Sequence, residues 1–184
     1  EIDKKDYEIS KNDNKIAKNY PGFFSKGTLF FSLNKIFNKD LKGIVYLSRT
    51  KDNLFSVNRN ALLFYHEDIS SLEINNNPTL IEKANEELNS IALKLKQKDI
   101  KLIVLLSPDK YSFYYNDLLD NNYPEPILFD ILDTLSKDYL YFNSKKLLSE
   151  HKQTTKDLYF FDDTHWSPLA SKIIADKLRG IILE

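Results

Sequence analysis

A chain of 184 residues, with 26 Lys and Arg against 27 Asp and Glu, a formal charge of −1 and no cysteine, is long enough to bury a sizeable core as one domain. That balance gives no global positive excess to hold nucleic acid or an anionic membrane, and the missing cysteines exclude disulfides, thiol catalysis and Cys-ligated zinc or iron–sulfur sites. No apolar run reaches the roughly 20 residues of a membrane-spanning helix and no basic-then-apolar signal segment opens the chain; a start at Glu1 rather than Met suggests a processed or truncated product that has lost a leader or anchor.

Residues 1–20 are rich in Lys, Asp, Asn and Glu with few apolar anchors, which predicts a flexible N-terminal arm, and residues 21–184 are expected to form a single α/β domain beginning near Tyr20-Pro21-Gly22-Phe23-Phe24. Leu29, Phe30, Leu33, Ile36 and Phe37 recur at helical spacing, Gly43–Leu47 reads as a short buried strand, and Ala61–Tyr65 is a second. Asn75-Asn76-Asn77-Pro78 signals a loop, then a helix with Thr79 as N-cap, Glu82 closing a capping box, and Ile81, Ala84, Leu88, Ile91 and Leu95 on one apolar face.

The continuous apolar run Leu102–Leu106 predicts a central strand covered on both faces, ending in the polar loop Ser107-Pro108-Asp109-Lys110. A helix opening at Pro126 and a strand over Tyr139–Phe142 follow, and Asp157–Phe161 is one more short strand candidate. Ser167 and Pro168 suit N-cap and N1 of a last helix that turns Ala170, Ile173, Ile174 and Leu178 inward. Alternating helix and strand is the rhythm of a parallel sheet with right-handed crossovers, so the expected fold is a small or incomplete three-layer α/β domain, flavodoxin-like in outline. There is no internal repeat.

Asp162-Asp163-Thr164-His165-Trp166-Ser167-Pro168 falls between a strand candidate and the last helix, where open α/β sheets place ligands. An imidazole becomes a general base near neutral pH when one ring nitrogen is held by a carboxylate and the other faces a nucleophile. Both acids are close enough in sequence to serve. The alternative role for His165 is a capping residue bound to Asp163 and the helix N-terminus, and Trp166 is either core packing or a buttress for the ring. His66, in Tyr65-His66-Glu67-Asp68, reads as a solvated loop residue, and His151 lies among polar neighbours. Three histidines so differently placed argue against zinc, although Asp162, Asp163 and His165 alone could hold a divalent ion weakly. The aromatic cluster Lys110-Tyr111-Ser112-Phe113-Tyr114-Tyr115 could stack on sugar faces or pack as a lid.

Asp163-Thr164-His165-Trp166-Ser167, with Leu158-Tyr159-Phe160-Phe161 before it, resembles the Tyr-Tyr…Asp-Thr-His-Trp segment of the alginate O-acetyltransferase group, whose members carry SGNH-hydrolase-like domains. Leu102–Leu106 followed by Pro108-Asp109-Lys110 is similar to that group's apolar strand ending in Pro-Asp-Lys, and Leu62-Leu63-Phe64-Tyr65 to its Trp-Leu-Phe strand. The resemblance implies an SGNH-like O-acetyltransferase or acetylesterase acting on an exported or cell-envelope polysaccharide. It further implies a secreted, periplasmic or envelope location and a membrane acyl-donor partner without membrane insertion of this domain; no cofactor and no metal are expected. Asp163 would orient the ring and His165 would be the base, whereas the Asp-x-x-His spacing of ordinary SGNH hydrolases would choose Asp162. Trp166, Lys110 and Tyr111 would contact substrate. The group's nucleophile lies in a Gly-Asp-Ser segment well beyond the histidine motif, and no Gly-Asp-Ser occurs in this chain. Ser48, after the apolar run Gly43–Leu47, is the first candidate in its place, and Ser107 reads as a turn residue. The alternative is a catalytically silent relative that binds glycan or a partner protein.

Overall fold

Residues 45–57, 60–120 and 122–183 are described by a computed structural model. Strands β1 (Val45–Arg49) and β2 (Ala61–Tyr65) pair antiparallel, with Tyr46 opposite Phe64 and Ser48 opposite Leu62. Period-two burial fixes the register: Leu62 and Phe64 are buried while Ala61, Leu63 and Tyr65 are half-covered. The expected second strand has these bounds. The first runs two residues further than expected, to Arg49, and Gly43 and Ile44 lie outside the described residues, as do the expected arm and the helix around Leu29–Phe37.

Helices α1 (His66–Ser70) and α2 (Leu72–Asn75) leave β2 directly and lead into the long α3 (Pro78–Lys96). Its N-cap is Asn77, whose side chain accepts from the Leu80 amide at 3.3 Å, and not Thr79. Pro78 takes the first helical position, where a missing N–H costs nothing, and that pulls the start upstream of the expected capping box. The buried row is also rotated: Ile81, Asn85 and Ala92 face inward, whereas Ala84 and Ile91 are exposed. Asn85 explains the rotation, because its amide donates to the Ser136 carbonyl at 3.0 Å and its oxygen accepts from the Tyr139 hydroxyl at 2.8 Å. A search for apolar residues alone passes over such a position.

Strand β3 (Ile103–Leu106) pairs in parallel with β4 (Leu140–Asn143), Ile103 opposite Leu140 and Leu106 opposite Asn143. Between them lie α4 (Lys110–Tyr114), a 3₁₀ turn (Tyr115–Asp117) and α5 (Leu128–Thr134). The expected helix from Pro126 begins at Leu128 because Asn76, which ends α2, holds the preceding backbone: it donates to the Glu125 carbonyl at 2.7 Å and accepts from the Ile127 amide at 3.0 Å. Helix α6 (Ser144–His151) follows β4, and α7 (Pro168–Leu183) closes the domain. Ser167 caps α7 by accepting from the Ala170 amide at 3.3 Å, with Ala170 and Ile174 buried as expected.

The result is a mixed α/β domain with small open sheets. Its parallel part is β3–β4, while β1–β2 is antiparallel, since residues 50–60 are too few for the crossover helix a parallel pair needs. Among the described strands β3 has one partner, so its residues are half-covered and not buried on both faces as expected. The core is aromatic. Phe55, Phe64, Tyr111, Phe113, Tyr114 and Tyr159 are all but sealed from solvent, each such ring worth about 1.5–3 kcal/mol of burial. The Phe113 and Tyr159 rings stack at 5.3 Å, joining α4 to the segment before α7. No described helix is long and apolar enough to cross a membrane.

Candidate active site

The segment expected as a strand over Asp157–Phe161 makes only one bridge, Tyr159 to Trp166. Around it the Phe160 amide donates to the His165 carbonyl at 3.2 Å and the Ser167 amide to the Leu158 carbonyl at 2.9 Å, which closes residues 160–165 into a loop. Two ties fix that loop to the exit of β3. The Tyr159 hydroxyl donates to the Pro108 carbonyl at 2.6 Å. Lys110, fully buried, donates to the carbonyls of Phe160 at 2.5 Å, Phe161 at 2.7 Å and Asp163 at 3.1 Å. An ammonium has three N–H donors, so all are spent. Burial lowers the Lys110 pKa to about 8, with the charges of Asp68, Asp162 and Asp163 pulling it back up.

At the loop's tip, Asp163 Oδ1 accepts from the His165 amide at 2.8 Å and meets its ring Nδ1 at 2.5 Å. Burial pushes the Asp163 carboxyl up, but the hydrogen bonds from the His165 amide and ring, then the charges of His165 and Lys110, outweigh it and leave the pKa lowered. With Asp163 ionised the ring proton is assigned to Nδ1, leaving Nε2 as the basic nitrogen. The His165 side chain is 80% exposed, so that nitrogen is open to a reactant. Of the two acids it is Asp163 that the structure brings to the ring. Asp162 is exposed and acts on the charge of Lys110 instead.

The other expected site residues are placed differently. Ser48 sits inside β1, not at its exit, with its side chain turned inward and no hydrogen bond to His165. No helix start follows it among the described residues of 50–60 to supply oxyanion donors. Lys110 and Tyr111, expected to contact substrate, face inward: the lysine is the loop clamp, and the buried Tyr111 hydroxyl donates to the Tyr123 and Pro124 carbonyls at 3.0 and 3.2 Å. Lys110 opens α4 and Tyr111 is its second residue, and every residue of that helix is buried. Trp166 is half-buried against the core. Ser107 is exposed, with its hydroxyl 3.4 Å from the Pro108 carbonyl. His66 opens α1, its ring 4.3 Å from that of Tyr65, and His151 ends α6 half-buried. No group of three or more acidic or histidine side chains is arranged to hold a metal among the described residues.

Two residues escaped the sequence reading. Asp68, expected in a solvated loop, lies on α1 at 7% exposure, and its pKa is raised to about 7 by burial and then by Asp109. Asp109 caps α4, accepting from the Ser112 amide at 2.6 Å and hydroxyl at 2.7 Å, and burial raises its carboxyl too. Both line a cleft of about 300 Å³. Asp68 is buried where α1 packs on α4, and no local pattern announces that.

A sequence model of the family described as SGNH hydrolase-like domain, acetyltransferase AlgX, matches residues 59–183. Among solved structures, that of Bacillus cereus PatB1 with a sulfonyl adduct is similar at 19% identity and a TM-score of 0.44, the match covering 55% of this chain and 37% of that one. No curated protein sequence matches.

Proposed function

The chain belongs to the SGNH hydrolase-like domain family of the acetyltransferase AlgX, and from that premise we propose that it is a carbohydrate O-acetyltransferase or acetylesterase working on an exported or cell-envelope polysaccharide. The observation that carries this reading is the Asp163–His165 pair, 2.5 Å apart on a clamped loop with the ring open to solvent. In the reaction, Nε2 takes the proton of a serine hydroxyl as its oxygen attacks the acetyl carbonyl. The serine–carbon bond forms, the ester C–O bond breaks, and the leaving sugar oxygen takes the proton back from His165. Water or a second sugar hydroxyl then repeats the cycle in reverse. Asp163 keeps the ring in the required tautomer and offsets the charge of the imidazolium.

A second reading, a silent relative that uses the same loop to bind glycan or a partner protein, draws on one observation. No hydroxyl among the described residues is hydrogen-bonded to the His165 ring. An acetyl-ester hydrolysis assay on the protein and on His165→Ala separates the two. The enzyme reading expects a fall of roughly 10²–10⁴ in the variant. Equal and negligible rates in both select the silent relative.

A further inference from the structure

The cleft beside α1 has no residue of the His165 loop in its lining, and its reading does not rest on acyl transfer. It lies at the carboxyl end of β3, where Ser107 and Asp109 leave the strand. Its charged lining has one sign: Glu67 and Asp68 from α1 and Asp109 from the start of α4, with no Lys, Arg or His among the lining residues. Leu72, Leu128 and Phe129 supply an apolar wall, and the hydroxyls of Ser71, Ser107 and Ser112 add acceptors.

Asp68 supplies a separate indication of a ligand. It is more than nine-tenths covered, it borders the cleft, and its Oδ2 has no hydrogen-bond partner. A covered carboxylate oxygen left unpaired is costly unless a donor or a countercharge meets it. Asp109 differs, since Ser112 engages both of its oxygens. The charges that bear on Asp68 cannot fill the gap. Asp109 repels it, Lys110 attracts it but has spent its donors on the loop, and Lys145 of α6 acts on Asp109; the Tyr111 and Tyr65 amides favour the ionised carboxyl, yet Oδ2 stays without a partner.

We infer that this cleft binds a compact ligand bearing a primary ammonium group, the ammonium meeting Asp68 Oδ2 and its frame resting on Leu128 and Phe129. An ammonium offers three donors and one positive charge to a lining made of acceptors and negative charge. A volume of about 300 Å³ suits a ligand of monosaccharide size. The same lining repels a uronate or a phosphate.

Calorimetry at pH 8 with 6-amino-6-deoxyglucose, Nα-acetyl-lysine amide, glucose and glucuronate tests this on the intact chain. Either or both amines should bind, and glucose and glucuronate should not. Preference for the amino sugar identifies a glycan source, and preference for the lysine amide a peptide source. Asp68→Asn should weaken amine binding at least tenfold. In the unsubstituted protein the affinity should fall about tenfold between pH 8 and pH 6, because Asp68 takes up a proton near pH 7. The pH arm stands on the native protein even if the variant folds poorly. Binding of glucose as tight as that of the amines, an unchanged Asp68→Asn, a flat pH dependence, or no binding of either amine at millimolar concentration would overturn the proposal.

Discussion

Asp163 and Asp68 are the same residue type and act on the same lysine, yet folding drives their acidities apart. Asp163 is half exposed and receives two hydrogen bonds from His165, and its carboxyl is held below the usual range. Asp68 is buried with an unpaired oxygen, and its carboxyl is pushed up to about 7. Hydrogen bonding to the charged form wins at the first site and desolvation wins at the second. The first acid is therefore fixed as a charge that orients an imidazole, and the second carries a proton that a ligand or a pH change can remove. Lys110 feels both charges, its own tempered by burial.

The contrast can be broken at either end. The largest effect is expected from Asp163→Asn, which keeps the size of the side chain but removes the negative charge that holds the proton on Nδ1 and can turn an amide N–H toward the ring in its place. Acetyl-ester hydrolysis should fall by about 10²–10⁴. A fall of less than a few-fold would remove Asp163 from the orienting role.

Asp68 should show itself in the pH dependence of stability. Its pKa is raised from 3.8 to about 7, so between roughly pH 4 and pH 7 the native state binds a proton that the unfolded chain has released. Stability from this residue is thus highest below pH 4 and declines as pH rises through 7, by an amount on the order of 4 kcal/mol. Asp163, with its pKa lowered, works the other way: its contribution is present above the unfolded value and is lost as pH falls through the folded one. Denaturant unfolding of the protein and of Asp68→Asn at pH 5 and pH 8 checks this. The variant should lose most of the decline, and parallel curves would contradict the assignment.

A smaller loss, roughly 3 kcal/mol, is expected for Lys110→Met, which strips three loop carbonyls of their donor. The signature is local: amide exchange at Phe160 and Ser167, which close the loop, should accelerate while that of α3 does not. Uniform acceleration would mean that the lysine supports the core and not the loop. The smallest change is Ser167→Ala, which removes the cap of α7 and should cost about 1 kcal/mol in the same unfolding experiment.

What could be read from the chain follows the range of the interactions concerned. Ala61–Tyr65 and the start of α7 were legible because period-two burial and a Ser-Pro cap are local properties. The pairing of Asp163 with His165 was legible because two residues of separation and one turn of backbone make it. The orientation of β1 against β2, the inward turn of Asn85 and the burial of Lys110 and Tyr111 depend on partners far away in sequence, Ser136, Phe160 and Tyr123 among them. Asp68 belongs with these. Its neighbours Glu67 and Ser70 are exposed, and it is buried on a helix that packs against α4, far from it in sequence.

The central claim is that Asp163 and His165 activate a serine, and covalent capture tests it most directly. An aryl sulfonyl fluoride accepts an activated serine oxygen at sulfur, a bond to oxygen forms, fluoride leaves, and the proton passes to the imidazole. Intact-mass and peptide mass spectrometry of the treated protein should show one sulfonyl group on one serine, absent from His165→Ala. No adduct in either protein, or an equal adduct in both, would contradict the account.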